Sequence, residues 1–382
     1  MKKGYWILGI IAVCMLLTGC QTKREVKVGV AATLTSGTSI EEGQAIVNGA
    51  TMAVEDWNRA HAEKGRCTFV LVKEDDKGDV ETAKQVAQKL ADAGVAGVVG
   101  HMDSSCSIAA SDVYAQNDIV MITPASTNPA VTDRGLKNVF RLCGRDDQQG
   151  KAAAVHLMNS SVWMEEDKKP VVAVACDDTN YGKGLAAKFK RNYELLSNKA
   201  IVIEKEITRG TTDFEDLIRE LKESKANFLY FGGVYDDAGP LLEALGEAGL
   251  ELTFMSGDGC FSNRLIELAG ADHAEGSFVT FPKAPQAGPE LDAFRKAYTQ
   301  KFGEEGSYSL YGYSAMMILL NSLEKGRGKL TGEYLAQDIR RSTHQTLFGD
   351  IRFGAAGDVT ESPFYIWQVK DGAFVELGAP GI

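Results

Sequence analysis

Spacings typical of metal-binding, redox and disulfide-rich proteins are missing from this sequence of 382 residues. The cysteines are Cys14, Cys20, Cys67, Cys106, Cys143, Cys176 and Cys260. None of them stands in a CxxC pattern or in another metal-ligand spacing. We therefore expect no metal site and no disulfide framework. At most one or two bridges form beyond residue 20, and the other cysteines there are small buried apolar residues.

Residue patterns typical of enzymes are also missing. No glycine-rich phosphate loop follows the apolar run 26–31. His101, Asp103 and Ser104 are close in sequence, but neighbours of this kind rarely form a catalytic triad. No second histidine has a fitting context. We therefore expect neither catalysis nor a cofactor.

The chain has no excess of positive charge. It carries 41 basic and 52 acidic residues, which gives a net charge of −11. An acidic balance argues against binding to nucleic acid and against a polybasic contact with a membrane surface.

The N-terminus has the order of a secretory signal. Lys2 and Lys3 precede an apolar run over residues 5–17, which is too short for a permanent membrane span. The small residues before Cys20 resemble the lipobox of bacterial lipoproteins, whose cysteine is acylated before cleavage. We expect residues 1–19 to be a signal peptide, Cys20 a lipid anchor and residues 20–25 a tether. The alternative is an ordinary secretory peptide with a chance cysteine.

Such an anchor predicts an extracytoplasmic protein. It would lie on the outer face of the cell membrane, or in the periplasm or at the outer membrane in a cell with two membranes. Two or three acyl chains hold a globular protein stably where one does not. Because Lys2 and Lys3 are removed with the signal, the net charge of the mature chain would be −13.

The remaining chain alternates short apolar runs with amphipathic stretches. This rhythm predicts an α/β fold of parallel strands covered on both faces, with helical crossovers. The strand-like runs are residues 26–32, 68–73, 95–99, 120–123, 171–175, 200–204, 227–231, 252–255 and 277–281. Helical patterns include residues 43–58, 80–93, 181–196, 213–223 and 236–248.

A mature chain of about 360 residues is longer than one core usually covers, so we predict two lobes. No flexible Gly/Ser linker separates them. Crossovers are expected near residues 142–144, 281–282 and 348–350, where strand-like runs continue through glycine or proline. Lobe I would comprise residues 26–143 plus 282–348. Lobe II would comprise residues 144–281 plus 349–382, and three crossovers would form a hinge.

Polar residues follow several predicted strands, where ligands of parallel sheets bind. Ser104 and Ser105 stand at a predicted helix start, which suits a carboxylate but also suits a plain N-cap. The loop 124–127 contains Ser126 and keeps the backbone extended. Asp258 lies between two glycines, so it either reaches a ligand ammonium or forms a tight turn.

Several motifs in order resemble the leucine/isoleucine/valine-binding family of periplasmic binding proteins over nearly the whole mature chain. They are the runs 48–50 (NGA), 111–114 (SDVY), 122–125 (ITPA), 181–184 (YGKG), 212–214 (TDF) and 232–235 (GGVY). Each motif alone is weak, whereas their order and spacing are specific. The resemblance implies a two-lobed type I fold in which each lobe is a parallel sheet flanked by helices.

The resemblance also implies a site for the head group of an amino acid. Ser104 matches the serine that binds the ligand carboxylate. Ala125 and Thr127 match residues that accept from the ligand ammonium. Tyr181 matches a tyrosine that closes over the ligand, and Asp258 stands where the family has a glutamate for the ammonium.

The predicted side-chain pocket departs from the family pattern. Glu42 and Val234 stand where aromatic residues line that pocket, whereas Met102 and Leu310 remain apolar. Two cysteines of a family disulfide are missing, because Asp103 occupies one of their positions and Gly78 the other. The two acids at these positions, Glu42 and Asp103, leave two interpretations open. Either the ligand has a polar or cationic side chain, or both carboxylates face solvent at the rim of the cleft.

The function implied by the resemblance is that of an extracytoplasmic binding protein of an ABC importer. It would close around an L-amino acid, branched-chain, aliphatic or small and polar, and deliver it to a membrane permease. The protein is expected to be a monomer. The alternatives are a ligand-sensing module for a membrane signalling partner and a binder of another small solute.

Overall fold

The computed structural model describes residues 23–160, 169–326 and 331–380. The predicted signal segment and Cys20 lie outside the described residues. Within these ranges the chain forms two large sheets and a small two-stranded one. No helix of this part of the chain combines the length and the apolar character that a membrane crossing requires.

The first sheet is parallel throughout, with the strand order β2-β1-β3-β4-β5. Its strands are β1 (Arg24–Ala32), β2 (Cys67–Asp75), β3 (Gly97–Gly100), β4 (Val120–Thr123) and β5 (Val139–Arg141).

The second sheet has the strand order β14-β13-β10-β9-β8-β6-β7. Its strands are β6 (Val172–Asp177), β7 (Ile203–Ile207), β8 (Phe228–Gly232), β9 (Thr253–Ser256), β10 (Phe278–Pro282), β13 (Phe364–Lys370) and β14 (Ala373–Gly378). The predicted parallel sheet is confirmed for the strands β6 to β10, and at one edge β13 and β14 are added to it in antiparallel orientation. Asp371 and Gly372 join them with positive φ angles of 51° and 73°, and so short a turn forces antiparallel pairing.

Thirteen α-helices are assigned in the described ranges. They are α1 (Ile40–Ala60), α2 (Val80–Asp92), α3 (Ser104–Gln116), α4 (Ala130–Asp133), α5 (Asp146–Asn159), α6 (Asn180–Ser197), α7 (Glu215–Ser224), α8 (Tyr235–Glu247), α9 (Asn263–Ala269), α10 (Ala271–Ala274), α11 (Pro289–Phe302), α12 (Ser309–Lys325) and α13 (Gly332–Arg341). The small sheet pairs β11 (His344–Thr346) with β12 (Gly349–Ile351).

The nine predicted strands and five predicted helices are confirmed, each with ends within three residues of the prediction. The largest shift is that of β7, predicted at 200–204. Asn198 ends α6 in the left-handed region, so the next residues serve as a connection. Apolar side chains fill both faces of each large sheet, which explains why its central strands read as continuous apolar runs.

Helices α1 and α12 pack against each other at unusually short range. A Cβ atom on Gly49 would lie 2.0 Å from the Ser309 carbonyl oxygen, and one on Gly312 would lie 2.4 Å from that of Ile46. Only glycine permits this approach. The contact brings the first turn of α1, with Glu42, beside the first turn of α12, with Leu310.

The chain passes between the sheets three times, and two of these crossings are tied together. The first lies between β5 and α5. The last lies between Val359 and β13. Val359 still belongs to the first sheet's side, because it forms an isolated β-bridge with Phe353. Arg141 is fully buried and its guanidinium pairs with Asp358 at 2.6 Å, and Arg145 pairs with the same carboxylate at 2.9 Å.

The last crossing comes about ten residues later than the predicted 348–350. Residues 344–351 form the small hairpin instead, and the ring of Phe353 packs on Phe140 of β5 with centroids 5.2 Å apart. This segment therefore stays with the first sheet, because its apolar side chain is needed to complete that core. The second crossing follows β10.

Candidate functional site

Loops that follow the strands of the two sheets meet each other in a cleft. Asn128, after β4, donates from Nδ2 to the Asn180 carbonyl oxygen at 2.6 Å. The Asn180 amide in turn donates to Ser105 Oγ at 3.4 Å. The loop after β4, the start of α3 and the start of α6 are therefore adjacent in this cleft. Most of the predicted head-group residues lie in or next to these segments.

Asp258 is at the centre of a buried hydrogen-bond network. Its carboxylate accepts from Gln149 Nε2 at 2.8 Å, from the Tyr181 hydroxyl at 2.9 Å and from the Tyr308 hydroxyl at 2.6 Å. The Gln149 side chain is fixed in return, because its Oε1 accepts from the Asp258 amide at 2.8 Å and from the Thr280 hydroxyl at 2.7 Å. Asp258 is thus held by groups from several elements and not merely part of a turn.

A second buried carboxylate adjoins this network. Gln149 Nε2 also faces Asp146 Oδ1 at 3.4 Å, and the Asp146 amide donates to the Thr127 carbonyl oxygen at 3.0 Å. The Thr127 side chain lies beside the Asp146 carboxylate, and apart from this contact Asp146 Oδ2 and Thr127 Oγ1 are buried without a hydrogen-bond partner among the described residues. Buried polar atoms without partners are rare in folded proteins, so these two mark a place where a polar guest fits.

The electrostatics of this region favour a cation. Burial raises the pKa of Asp146 to about 7 and the charge of Asp258 adds to the rise, while the Thr127 side chain and the charge of Arg141 oppose it. Burial also raises the pKa of Asp258, against the hydrogen bonds from Tyr308, Gln149 and Tyr181, which lower it. In the described ranges no lysine or arginine forms an ion pair with either carboxylate. A buried ammonium group would therefore find two acceptors here.

Ser104 is the first residue of α3 and not its N-cap, although the sequence suggested Ser104 or Ser105 as the N-cap. Asp103 holds that position, and its side chain makes no capping bond. Ser104 Oγ accepts from the Asn128 amide at 3.3 Å, which ties the start of α3 to the loop after β4. The first amides of an α-helix have no partner within the helix, so this end of α3 suits a carboxylate.

The other residues of the loop after β4 are buried in different ways. Ala125 is 6% exposed. The Ser126 hydroxyl is engaged within its own lobe, by the Met102 carbonyl oxygen at 3.0 Å and by Ser107 Oγ at 2.7 Å. Its side chain therefore helps to shape the loop, which leaves Thr127 as the residue there with a free hydroxyl.

His101 does not form a catalytic unit with Ser104. Both ring nitrogens are occupied elsewhere, Nδ1 by Asp76 Oδ2 at 2.6 Å and Nε2 by the Tyr114 hydroxyl at 3.1 Å. The imidazole is fully buried in this triad, whose role is to fix the loop after β3.

Asp103 forms an ion pair across the cleft. Its Oδ1 accepts from Arg209 Nη1 at 3.0 Å, and Arg209 also lies 3.5 Å from Asp177. Burial alone would lower the pKa of the guanidinium, but Asp103 and Asp177 hold it above its usual range. A Cβ atom on Gly78 would lie 3.2 Å from Asp103 Oδ2, so the two positions at which the family has cysteines are adjacent.

Glu42 and Leu310 line a cavity of about 980 Å³ beside the Asp258 network. Glu42 is 4% exposed and Asp103 is 8% exposed, so neither carboxylate faces solvent at the rim. Burial raises the pKa of Glu42 to about 7, opposed by the Ser262 side chain and by the backbone amides of Tyr308 and Ser307.

Met102 and Val234 are packed in the cores instead. Met102 belongs to the apolar cluster of the first sheet, and Val234 packs with Tyr181 and Tyr230 in that of the second. The five described cysteines are free and buried, in agreement with the expectation of small apolar residues.

Four residues of the site were not predicted: Asp146, Gln149, Arg209 and Tyr308. The available signal for Asp146 and Gln149 was the polar run 145–149 directly after a predicted crossover. Arg209 and Tyr308 are in loops whose sequence indicates only a turn, and only the tertiary structure brings them to the cleft.

Comparison with known proteins agrees with this geometry. The family model described as "Periplasmic binding protein" matches residues 25–373. An amino acid binding protein of Pseudomonas aeruginosa is 35% identical over 372 residues, which cover 97% of this chain and 96% of that protein. A Leu/Ile/Val-binding protein homolog of Brucella abortus is 33% identical over 372 residues, 97% of each chain.

Solved structures give the same result. A leucine-binding protein of Thermotoga maritima superimposes with a TM-score of 0.79 at 25% identity, covering 92% of this chain and 97% of that one. The two sheets, the cleft between them and full-length relatives above 30% identity all lead to one conclusion. The chain belongs to the branched-chain amino acid (Leu/Ile/Val)-binding family of periplasmic binding proteins.

Proposed function

We propose that this protein is the extracytoplasmic substrate-binding component of an ABC importer and that its cleft binds an L-amino acid. The relatives named above are amino acid binding proteins by their names, which supports this class of ligand. Membership of a family of binding proteins also argues against an enzyme.

One observation carries the proposal: two buried carboxylates, Asp258 and Asp146, are next to each other in the cleft, and neither forms an ion pair with a lysine or arginine of the described residues. An unneutralised pair of this kind is costly, and an α-ammonium group with three donors would offset the cost. Thr127 Oγ1, beside Asp146, supplies a further acceptor. The start of α3 at Ser104 supplies amides for the carboxylate of the same molecule. Together these groups suit a zwitterion.

Hinge closure is the mechanism that fits the contacts across the cleft. The Ser39 amide donates to Asp236 Oδ2 at 2.6 Å, and the Tyr235 hydroxyl donates to Glu41 Oε2 at 2.7 Å. Together with the pair between Asp103 and Arg209, these bonds favour a closed arrangement. Ligand would bind the first lobe in an open form and recruit Tyr181 and Asp258 on closing, and the permease would recognise the closed form.

The test is calorimetric titration of the full chain in detergent with the L-amino acids, on the wild type and on Asp258→Asn. At least one group of L-amino acids should bind, and Asp258→Asn should weaken that binding about ten- to hundredfold, because a charge-assisted bond is lost. Asp178→Asn is the control, since Asp178 is an exposed aspartate near the same cleft. Binding of no amino acid, or equal binding to wild type and Asp258→Asn, would overturn the proposal.

We further propose that residues 1–19 are removed and that Cys20 carries the acyl chains that hold the protein at a membrane. The order of charged, apolar and small residues before Cys20 supports this. Cells fed labelled palmitate should label the wild-type protein, whereas Cys20→Ser should be unlabelled and leave the membrane fraction. Equal labelling of both would refute the anchor. The mature protein is expected to be a monomer, which its sedimentation in detergent would check.

A further inference from the structure

The cavity beside the Asp258 network is larger than an aliphatic amino acid needs. It occupies about 980 Å³ between α1, the segment before α9, the crossing after β10 and the start of α12. Binding sites for small molecules range from about 300 to 1,000 Å³, so this cavity is at the upper end. Its walls include Leu310 and the rings of Phe281, Tyr298 and Trp367, which suit the methylene groups of a long side chain.

Glu42 is the buried acid of this cavity, and it is incompletely bonded. Its Oε2 atom has no well-formed hydrogen bond among the described residues, although the Ser262 side chain and the backbone of Ser307 and Tyr308 lie close to the carboxylate. The chain passes close to this oxygen at Gly306, where a Cβ atom would lie 3.3 Å from it and 2.7 Å from the Ala45 Cβ. The unpaired oxygen can therefore accept a bond from a guest.

The bases that line the cavity are engaged by other groups. Arg264 pairs with Glu267, and Arg295 pairs with Glu305 at 3.2 Å. The ammonium group of Lys283 lies 5.8 Å from the ring centroid of Tyr365. None of the ion pairs of the described residues includes Glu42. An ionised carboxylate in this position would be stabilised most by a cation that arrives with the ligand.

Tyr308 links the two acidic positions. Its hydroxyl donates to Asp258 at 2.6 Å, while its backbone amide faces Glu42. The hydroxyl end of Tyr308 therefore lies at Asp258 and its backbone end lies beside Glu42, so this one residue separates the two carboxylates.

We propose that Glu42 binds the cationic end of the ligand side chain, so that the ligand is a basic L-amino acid and not a branched aliphatic one. This inference rests on the proposed function, because the α-amino and carboxylate groups are assigned to the cleft residues around Asp258. The side chain would run past Leu310 into the cavity. Its ammonium or guanidinium group would bond to Glu42 Oε2.

The experiment is calorimetric titration of the full chain in detergent with L-lysine, L-arginine, L-ornithine and L-leucine. One of the three basic amino acids should bind at least tenfold more tightly than leucine. Glu42→Gln should weaken that binding at least tenfold, because the charge is lost while the shape is kept, and should leave leucine binding equal or tighter. Glu63→Gln, the same change at an exposed position outside the cavity, is the matched control and should alter neither affinity.

The possible failures are distinguishable. If leucine binds more tightly than every basic amino acid, or if Glu42→Gln leaves basic ligands unaffected, this inference is overturned and the amino acid function stands. If no amino acid binds to the wild type, the proposed function is overturned and this inference with it. Thermal unfolding of Glu42→Gln checks that a loss of binding does not arise from misfolding.

Discussion

Glu42→Gln should stabilise the ligand-free protein, and it should do so strongly at pH 8 and only weakly at pH 5. In the folded protein burial raises the pKa of this carboxyl to about 7 from an ordinary value of 4.5. A group whose pKa is raised on folding binds its proton more tightly in the folded state. Its ionisation therefore lowers stability above the unfolded pKa, and the full cost is reached above pH 7.

The magnitude follows from the pKa shift. At pH 8 the cost of the ionised Glu42 is about 3 kcal/mol, because each pKa unit corresponds to about 1.4 kcal/mol. At pH 5 the group is almost wholly protonated in the folded state, and the cost falls below about 1 kcal/mol. Glutamine keeps the shape of the side chain and cannot ionise, so the variant should recover this difference.

The assay is urea unfolding at both pH values, followed by the fluorescence of tryptophans such as the buried Trp57. Glu63→Gln, the same substitution at an exposed position, should change the free energy of unfolding by less than about 0.5 kcal/mol at either pH. A Glu42→Gln variant that is no more stable than the wild type at pH 8 would refute the reasoning. A gain of equal size at pH 5 would refute it too, since it would not arise from ionisation.

Two further predictions concern how the cleft and the first lobe are held together. Arg209→Met leaves Asp103 buried without its cation, and it should cost about 3–5 kcal/mol of unfolding free energy in a urea titration. Adding Asp103→Asn should recover part of this loss, and a single variant as stable as the wild type would contradict the role of the pair. Gly49→Ala should cost about 1–3 kcal/mol, because the new methyl group meets the Ser309 carbonyl oxygen at 2.0 Å. Gly288→Ala, where nothing lies within 4 Å of the new group, is its control, and equal thermal midpoints for the two variants would contradict the close packing of α1 on α12.

The sequence determined the class of fold, and it predicted most residues of the head-group site that we propose. Central strands such as β4 and β8 are buried on both faces, so they read as apolar runs in any context. Ser104, Thr127 and Asp258 were predictable because residues that follow the strands of parallel sheets gather at one edge. The antiparallel hairpin of β13 and β14 was not predicted, although Asp371-Gly372 is a typical hairpin turn.

The tertiary structure alone decided the environment of the acids. Whether Glu42 faces solvent or a cavity depends on how closely α1 approaches α12, which Gly49 and Gly312 set across more than 260 residues of sequence. Asp146 meets Asp258 because a crossing brings α5 beside the second sheet. The burial of a carboxylate and the absence of a cation beside it depend on tertiary contacts between distant segments and not on the local sequence. The chain by itself therefore indicated an amino acid binding protein, whereas the character of its side-chain pocket emerged only from packing.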